Sequence, residues 1–333
     1  MMVEVATEPL LTVDNLAVHF AQGGGLFGGG ARVLRAVDGV SLTVRAGECV
    51  GLVGESGCGK STLASAVVGL QAPTSGRIVI DGIPLRSGTT DRMRLARTVQ
   101  MVFQDPYASL NPRRRVGELL AAPLRLHRMG DGKEIGRRVA DMLRRVGLRP
   151  EHADRYPHEF SGGQRQRIGI ARALILEPKL IICDEPVSAL DVSIRAQIIN
   201  LLVELTDSLG VATLMISHDL SVVEHMCDRV AVMYLGRIVE SGPWQRIFER
   251  PSHPYTRALM AAIPDPFKPI VGRRAVASGD VPNPLTPPLG CAFHPRCPEA
   301  IAQCRQAPGP ELAAIEPGHT TACWVAQRAL IAS

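Results

Sequence analysis

Apolar runs separated by polar, turn-rich stretches set the rhythm of this chain. Leu10 to Phe20 alternates apolar and polar side chains, as a half-buried strand does, and predicts an edge strand. Gly23 to Gly30 (GGGLFGGG) reads as a flexible loop before a second strand around Val40 to Val44. Cys49 to Val53, residues 99 to 104 (VQMVFQ), Leu180 to Asp184 and Val211 to Ser217 are nearly continuous apolar runs, the mark of strands covered on both faces. Gly76 to Asp81 (GRIVID) predicts one more short strand, closed by an Asp81-Gly82 turn. Helical periods lie between the strands. They cover Ser61 to Leu70, a Leu- and Arg-rich stretch from about Pro112 to Phe160 broken at Gly130, Gly132, Gly147 and Pro150, the residues after Gln164, and a helix ending near Leu209. The alternation predicts an α/β domain with a helical insertion.

Chemistry enters at the end of the first continuous run. Gly54, Gly59, Lys60 and Ser61 fit the phosphate-loop pattern G-x-x-x-x-G-K-[ST], preceded by a strand and followed by a helix as that pattern requires. Glycines at 54, 57 and 59 let the backbone wrap a phosphate, so that N–H groups and the positive end of the next helix point at the anion. Lys60 then reaches the β- and γ-phosphates, and the Ser61 hydroxyl takes a place on Mg²⁺.

A second anion-seeking helix start follows at FSGGQRQRIGIARAL, residues 160 to 174, where Ser161 is a good N-cap and Gly162 and Gly163 leave backbone N–H groups uncovered. The two starts are far apart in sequence, and two copies facing each other would let them share a nucleotide. Asp184, ending an apolar run, is suited to hold Mg²⁺, and Glu185 to orient or deprotonate water. His218, at the end of another strand, can share that sheet edge and touch a γ-phosphate. Gln104 at a strand end carries little meaning alone. Phe20 either stacks on a purine ring or packs in the core.

Composition adjusts the picture only slightly. At 333 residues with 46% hydrophobic content the chain has ample core for one large or two medium domains. The net charge of +5 is mildly basic, with arginines gathered between Arg92 and Arg149; a solvated helical face is the commoner source of such a cluster, nucleic acid or an anionic lipid leaflet the other. No apolar run approaches the ~18 residues a membrane span needs, and the N-terminus lacks the pattern of a signal peptide, so the chain is expected on the cytoplasmic side. Of eight cysteines, four lie within residues 291 to 323.

Taken together, these motifs resemble the ATP-binding subunit of an ABC transporter: Walker A at Gly54 to Ser61, a Q-loop at Gln104, the SGGQ signature at Ser161, Gly162, Gly163 and Gln164, Walker B at Leu180 to Asp184, a catalytic Glu185, a D-loop at Ser188 to Asp191 and a switch His218. The resemblance implies a P-loop NTPase (RecA-like) core with a mixed sheet, a helical signature subdomain at about 105–165 within a nucleotide-binding domain of 8–250, and an extension over 251–333. ATP would contact Phe20 and the loop residues Gly54, Glu55, Ser56, Gly57, Cys58, Gly59, Lys60, Ser61 and Thr62. Mg²⁺ would fall to Ser61, Gln104 and Asp184, and two such domains would sandwich ATP, with Ser188 and Asp191 at their contact.

The details GESGCGKST, FQDPYASLNPR, YPHEFSGGQRQR and HPYTRALMAAIP are similar to the oligopeptide and dipeptide importer ATPases in particular. One departure is Phe160, where the general ABC pattern has Leu. That subfamily implies import of di- or oligopeptides with two membrane permease subunits, a homologous second ATPase, an extracytoplasmic binding protein and no nucleic acid, the chain lying peripherally on the inner face of the cell membrane. Importers of nickel chelates, glutathione or opines share the design, and a soluble ABC ATPase acting on nucleic acid is the remaining alternative. In the tail, Cys291, Cys297, Cys304 and Cys323 lack the paired C-x₂₋₄-C spacing of structural zinc. Four loosely spaced thiolates suit a [4Fe–4S] cluster, which the resemblance also implies; zinc, with His294 and His319 as spare ligands, and four inert thiols stay open.

Overall fold

The computed structural model describes residues 8–22, 32–85, 89–105, 109–262 and 279–331. The expected glycine loop at 23–30, residues 106–108 of the turn after Gln104, and most of the Pro-rich stretch before Pro288 lie outside them.

The strands are β1 (Leu11–Gln22), β2 (Arg32–Val44), β3 (Cys49–Val53), β4 (Ser75–Ile80), β5 (Ile83–Pro84), β6 (Val99–Val102), β7 (Leu180–Asp184), β8 (Ala212–Ile216), β9 (Arg229–Tyr234), β10 (Arg237–Pro243), β11 (Ala313–Glu316) and β12 (His319–Thr321). The helices are α1 (Lys60–Val67), α2 (Thr89–Thr98), α3 (Val116–Leu126), α4 (Gly132–Arg145), α5 (Gly162–Leu174), α6 (Val192–Leu209), α7 (Leu220–Met226), α8 (Trp244–Glu249), α9 (Pro254–Ala261) and α10 (Trp324–Ile331).

Eight strands form the main sheet in the order β11-β12-β10-β9-β3-β8-β7-β6. From β6 through β9 all pairings are parallel, and β10, β12 and β11 continue the sheet antiparallel. The sheet is therefore mixed, as the resemblance implied. In β7 the alternation of the pleat divides one apolar run between two cores. Leu180 and Ile182 face a cluster built with α1 and the smaller sheet, whereas Ile181 and Cys183 face the cluster under α3 to α6. Such a strand must be apolar at every position, which is why its sequence shows no alternation.

Four strands form the smaller sheet, in the order β2-β1-β4-β5. Here β1 departs from expectation, because it is an interior strand rather than an edge, hydrogen-bonded antiparallel to both β2 and β4. Alternation reports one buried face and says nothing about how many neighbours a strand has. β2 also begins well before Val40 and pairs along most of β1, placing Leu34 opposite Phe20.

The helical insertion spans α3, α4 and the turns that lead to α5. Its arginines are drawn into ion pairs: exposed Arg137 with Glu134 and Asp141, exposed Arg144 with Asp141, and half-buried Arg138 with Glu177. Among the described residues no helix is long and apolar enough to cross a membrane.

Candidate functional site

The parallel strands β3, β8, β7 and β6 are adjacent, so their carboxyl ends share one edge, where open α/β sheets bind ligands. That adjacency gathers residues far apart in sequence. The phosphate loop follows β3, Gln104 follows β6, Glu185 follows β7 and His218 follows β8.

A cavity of about 310 Å³ opens there. Ser56, Gly57, Cys58, Gly59, Lys60, Ser61 and Thr62 form its floor, and Gln104 and Glu185 line it as well. Lys60 is buried, and its ammonium donates to the carbonyls of Gly54 (2.7 Å) and Glu55 (3.0 Å), so the lysine is tethered across the loop it serves. The Ser61 hydroxyl donates to Asp184 Oδ1 at 3.2 Å. Burial, reinforced by the neighbouring Glu185, pushes the Asp184 carboxyl above its ordinary pKa. A buried acid beside a serine hydroxyl is a pair of hard oxygen donors, and it fits Mg²⁺.

Glu185 is the hub of the edge. Gln104 Nε2 donates to its Oε2 at 3.0 Å, and His218 Nδ1 lies 3.0 Å from its Oε1. Its backbone sits in the left-handed region (φ 48) and is held there by its N–H donating to Ile216 O. Ser188 Oγ donates to the Glu185 carbonyl, so the expected D-loop serine braces the same residue. Asp191 starts α6 without a side-chain cap bond.

The glycines need a different explanation from phosphate approach alone. A Cβ on Gly54 would meet Met233 O at 2.2 Å, and one on Gly59 would meet Ala36 O at 2.0 Å. These two glycines let the loop nest against β9 and the middle of β2. A Cβ on Gly57 would meet nothing within 4 Å, and there the positive φ of 78 is the constraint.

Phe20 lines the cavity and also packs, half-buried, against the core. Sequence reasoning missed Leu34, Arg35, Ala36, Leu235, Gly236 and Pro284, which complete the walls. The β1–β2 register brings the first three in, and no motif marks them.

Glu55 was expected among the ATP contacts, yet its side chain does not line the cavity. It forms a two-pronged ion pair with Arg296 of the extension, at 2.9 and 3.0 Å. None of Ser161, Gly162, Gly163 or Gln164 reaches this cavity. They form a capping box, in which the Gln164 N–H donates to Ser161 Oγ (3.4 Å) and the Ser161 N–H to Gln164 Oε1 (3.1 Å).

In the extension, Cys291, Cys297, Cys304 and Cys323 come to line one small cavity with His294. Burial pushes the Cys291 thiol up to about 11 and raises those of Cys297 and Cys323. Among the described residues, however, no group of three or more His, Cys, Asp or Glu is placed to hold a metal ion. Neither the [4Fe–4S] expectation nor the zinc alternative finds support in this geometry. His319, expected as a spare ligand, is instead buried against Glu240 at 2.8 Å, where it joins β12 to β10.

A glycine loop between strand and helix, a tethered lysine, and a serine–aspartate pair at a parallel sheet edge define a P-loop nucleotide-hydrolysing fold. Residues 37–188 match the family described as ABC transporter, and residues 239–304 match the oligopeptide/dipeptide transporter C-terminal region. The chain is 52% identical over 303 residues to the di/tripeptide transport ATP-binding protein DppF of Pseudomonas aeruginosa, covering 90% of this chain and 92% of that one. It is 52% identical to the oligopeptide transport ATP-binding protein OppF of Escherichia coli over 301 residues, 89% of this chain and 90% of the relative. Among solved structures, CbiO1 from Clostridium perfringens, part of the ABC transporter complex CbiONQ, superposes with a TM-score of 0.63 at 31% identity, covering 73% of this chain and 91% of that chain. The chain belongs to the ABC transporter ATP-binding subunits, in the oligopeptide/dipeptide transporter family, and is an ATPase coupled to transport.

Proposed function

We propose that this chain hydrolyses ATP at the β3–β8–β7–β6 edge to energise import of di- or oligopeptides through membrane-spanning partner subunits. The observation that carries the hydrolytic reading is the convergence of Gln104 and His218 on the two oxygens of Glu185, beside the phosphate loop. The match of residues 239–304 and the peptide-transport relatives support the cargo class.

Lys60 turns from its carbonyl partners toward the phosphates and neutralises their charge. Ser61, Asp184 and Gln104 would hold Mg²⁺, which would offset charge on the phosphate oxygens. Glu185 orients the attacking water as its base, and His218 fixes the carboxylate and reaches toward the γ-phosphate. Phe20 stacks on the adenine. The signature residues Ser161 to Gln164 serve the nucleotide of a second ATPase domain facing this one, with Ser188 and Asp191 at the contact. That second domain is a homologous subunit, and the assembly includes two permeases and an extracytoplasmic binding protein. The chain sits peripherally at the inner membrane face and divides into a nucleotide-binding unit at 8–250, with its helical subdomain at about 105–165, and the extension at 251–333.

The test is Glu185→Gln in the assembled transporter. ATP binding is retained while hydrolysis and peptide uptake fall by ~10²-fold or more, as for loss of a positioned catalytic group. Wild-type turnover in that variant would remove Glu185 from the role, and intact hydrolysis without peptide uptake in the wild type would remove the cargo.

A further assignment, a structural [4Fe–4S] cluster held by Cys291, Cys297, Cys304 and Cys323, rests on the four thiols lining one cavity and not on a ligand set already placed for a metal ion. Anaerobically purified protein then absorbs near ~400 nm and loses the band in Cys297→Ser. A colourless protein refutes the assignment.

A further inference from the structure

Among the described residues, Arg296 is the most buried arginine that the proposed chemistry leaves unused. Only 8% of its side chain is exposed, yet it belongs to a polar, loop-rich extension more than two hundred residues from the phosphate loop in sequence. Its guanidinium grips both oxygens of Glu55, the residue after Gly54, in the fork geometry that is the strongest protein ion pair. It rests 5.9 Å from the Tyr234 ring centre and 5.8 Å from that of Phe293, and donates to the Tyr234 hydroxyl at 3.4 Å. A second strand of the same linkage runs through α9, where the Tyr255 hydroxyl accepts the Glu55 N–H at 2.9 Å. Backbone and side chain of one phosphate-loop residue are thus both held by the C-terminal part of the chain.

The placement matters because Glu55 is an anion in a loop that must receive a triphosphate. The carbonyl of the same residue is 3.0 Å from the Lys60 ammonium, the cation meant for the phosphates. Without Arg296 the carboxylate would be an unpaired negative charge on the phosphate loop, free to turn toward the lysine and to repel the incoming γ-phosphate. We infer that Arg296 is a positioning residue of the ATP site: it holds the Glu55 carboxylate outside the phosphate cavity, and by doing so makes nucleotide affinity depend on the docked extension. Because Arg296 directly precedes Cys297, whatever reshapes the thiol-lined cavity acts on the segment that grips the loop.

This inference rests on the reading that ATP binds at residues 54–62, and the experiment separates the two. Binding of fluorescent ATP and ADP analogues with Mg²⁺ is measured on the full chain carrying Arg296→Met, in the natural background and in a Glu55→Gln background. Arg296→Met weakens ATP by roughly tenfold, or about 1.4 kcal/mol, and ADP by less, because the released charge acts most strongly on the γ-phosphate. In the Glu55→Gln background the same substitution changes ATP affinity by less than about twofold, since no charge is left to misplace. A purely structural role predicts equal losses in both backgrounds and for both nucleotides, and that result overturns the inference, as does unchanged affinity. If Arg296→Met fails to fold, Arg296→Lys, which keeps the charge but not the fork, replaces it; its smaller loss must likewise vanish with Glu55→Gln. A Lys60→Ala control that binds ATP normally sinks the site reading itself, whereas a Lys60→Ala control that loses binding, combined with background-independent Arg296 effects, sinks only the role of Arg296.

Discussion

Two helices of this molecule begin at glycine-rich starts, α1 after the glycines at 54, 57 and 59 and α5 with Gly162 and Gly163 following Ser161, and they meet their first turns in opposite ways. α1 starts at Gly59, which sits at φ 110 and offers no side-chain cap, so the N–H groups of its first turn face the cavity above Lys60. α5 starts at Ser161, whose hydroxyl and the Gln164 amide close a reciprocal capping box. One terminus has its donors left for a ligand; the other has supplied part of the need from its own side chains. The same anion-binding rule that marks both in the sequence therefore predicts different behaviour in the isolated chain: α1 is a ready phosphate site, and α5 engages a phosphate only when its box is opened or approached by another domain.

The sharpest way to break this contrast is to remove one side chain at each terminus. Lys60→Ala lowers ATP affinity of the isolated chain by ~10²-fold or more, the scale of a lost charge-stabilising donor. Gln164→Ala leaves that affinity within about twofold and lowers only the hydrolysis that needs two domains. Equilibrium binding and turnover, measured side by side, decide it.

Next in size is the glycine comparison. Gly59→Ala forces a Cβ to within 2.0 Å of Ala36 O at a positive φ, and should cost about 2 kcal/mol or more in urea unfolding. Gly162→Ala meets only Leu190 Cδ2 at 3.6 Å, and the gain in helix propensity leaves stability unchanged or raised by about 1 kcal/mol.

A pH titration distinguishes the two ends electrostatically. Asp184 has its pKa raised in the folded state, chiefly by burial, so the folded chain binds more protons than the unfolded one above the ordinary value of 3.8. Its contribution makes stability fall as pH rises from 3.8 through the raised value. Asp184→Asn removes that dependence, whereas Ser161→Ala leaves it in place. Thermal melts of the three proteins across that window supply the check.

The smallest effect is the cap itself. Ser161→Ala costs about 1 kcal/mol of stability, and Ser161→Asn restores most of it, because only an accepting side chain is needed at that position.

Much of the site is legible in the sequence. The runs Cys49 to Val53, Leu180 to Asp184 and Val211 to Ser217 became β3, β7 and β8, because a strand sandwiched between two cores has no polar position to spare. Residues at the ends of such strands meet at one edge once the strands are parallel, as Asp184, Glu185 and His218 do beside the phosphate loop, whereas Gln104 was marked only by the resemblance. The interior placement of β1 was not legible, since a period of two specifies a face and leaves the neighbours open. Nor were the strands β11 and β12, short and mostly exposed or polar, which join the main sheet only because β10 presents a free edge to them.

What local sequence determined here is whatever depends on neighbours along the chain: the phosphate loop with its flanking strand and helix, the cap at Ser161, and the apolar runs. Tertiary structure decided what depends on groups brought from a distance. It turned Glu55 away from the phosphate cavity toward Arg296, demanded glycine at 54 and 59 through the carbonyls of Met233 and Ala36, set Leu34 beside Phe20, and gathered four thiols around one cavity. Hydrogen-bonded turns and periodicity act over a few residues and are written into every short window of sequence. Packing contacts and ion pairs act through space, and their partners are known only after the chain has folded.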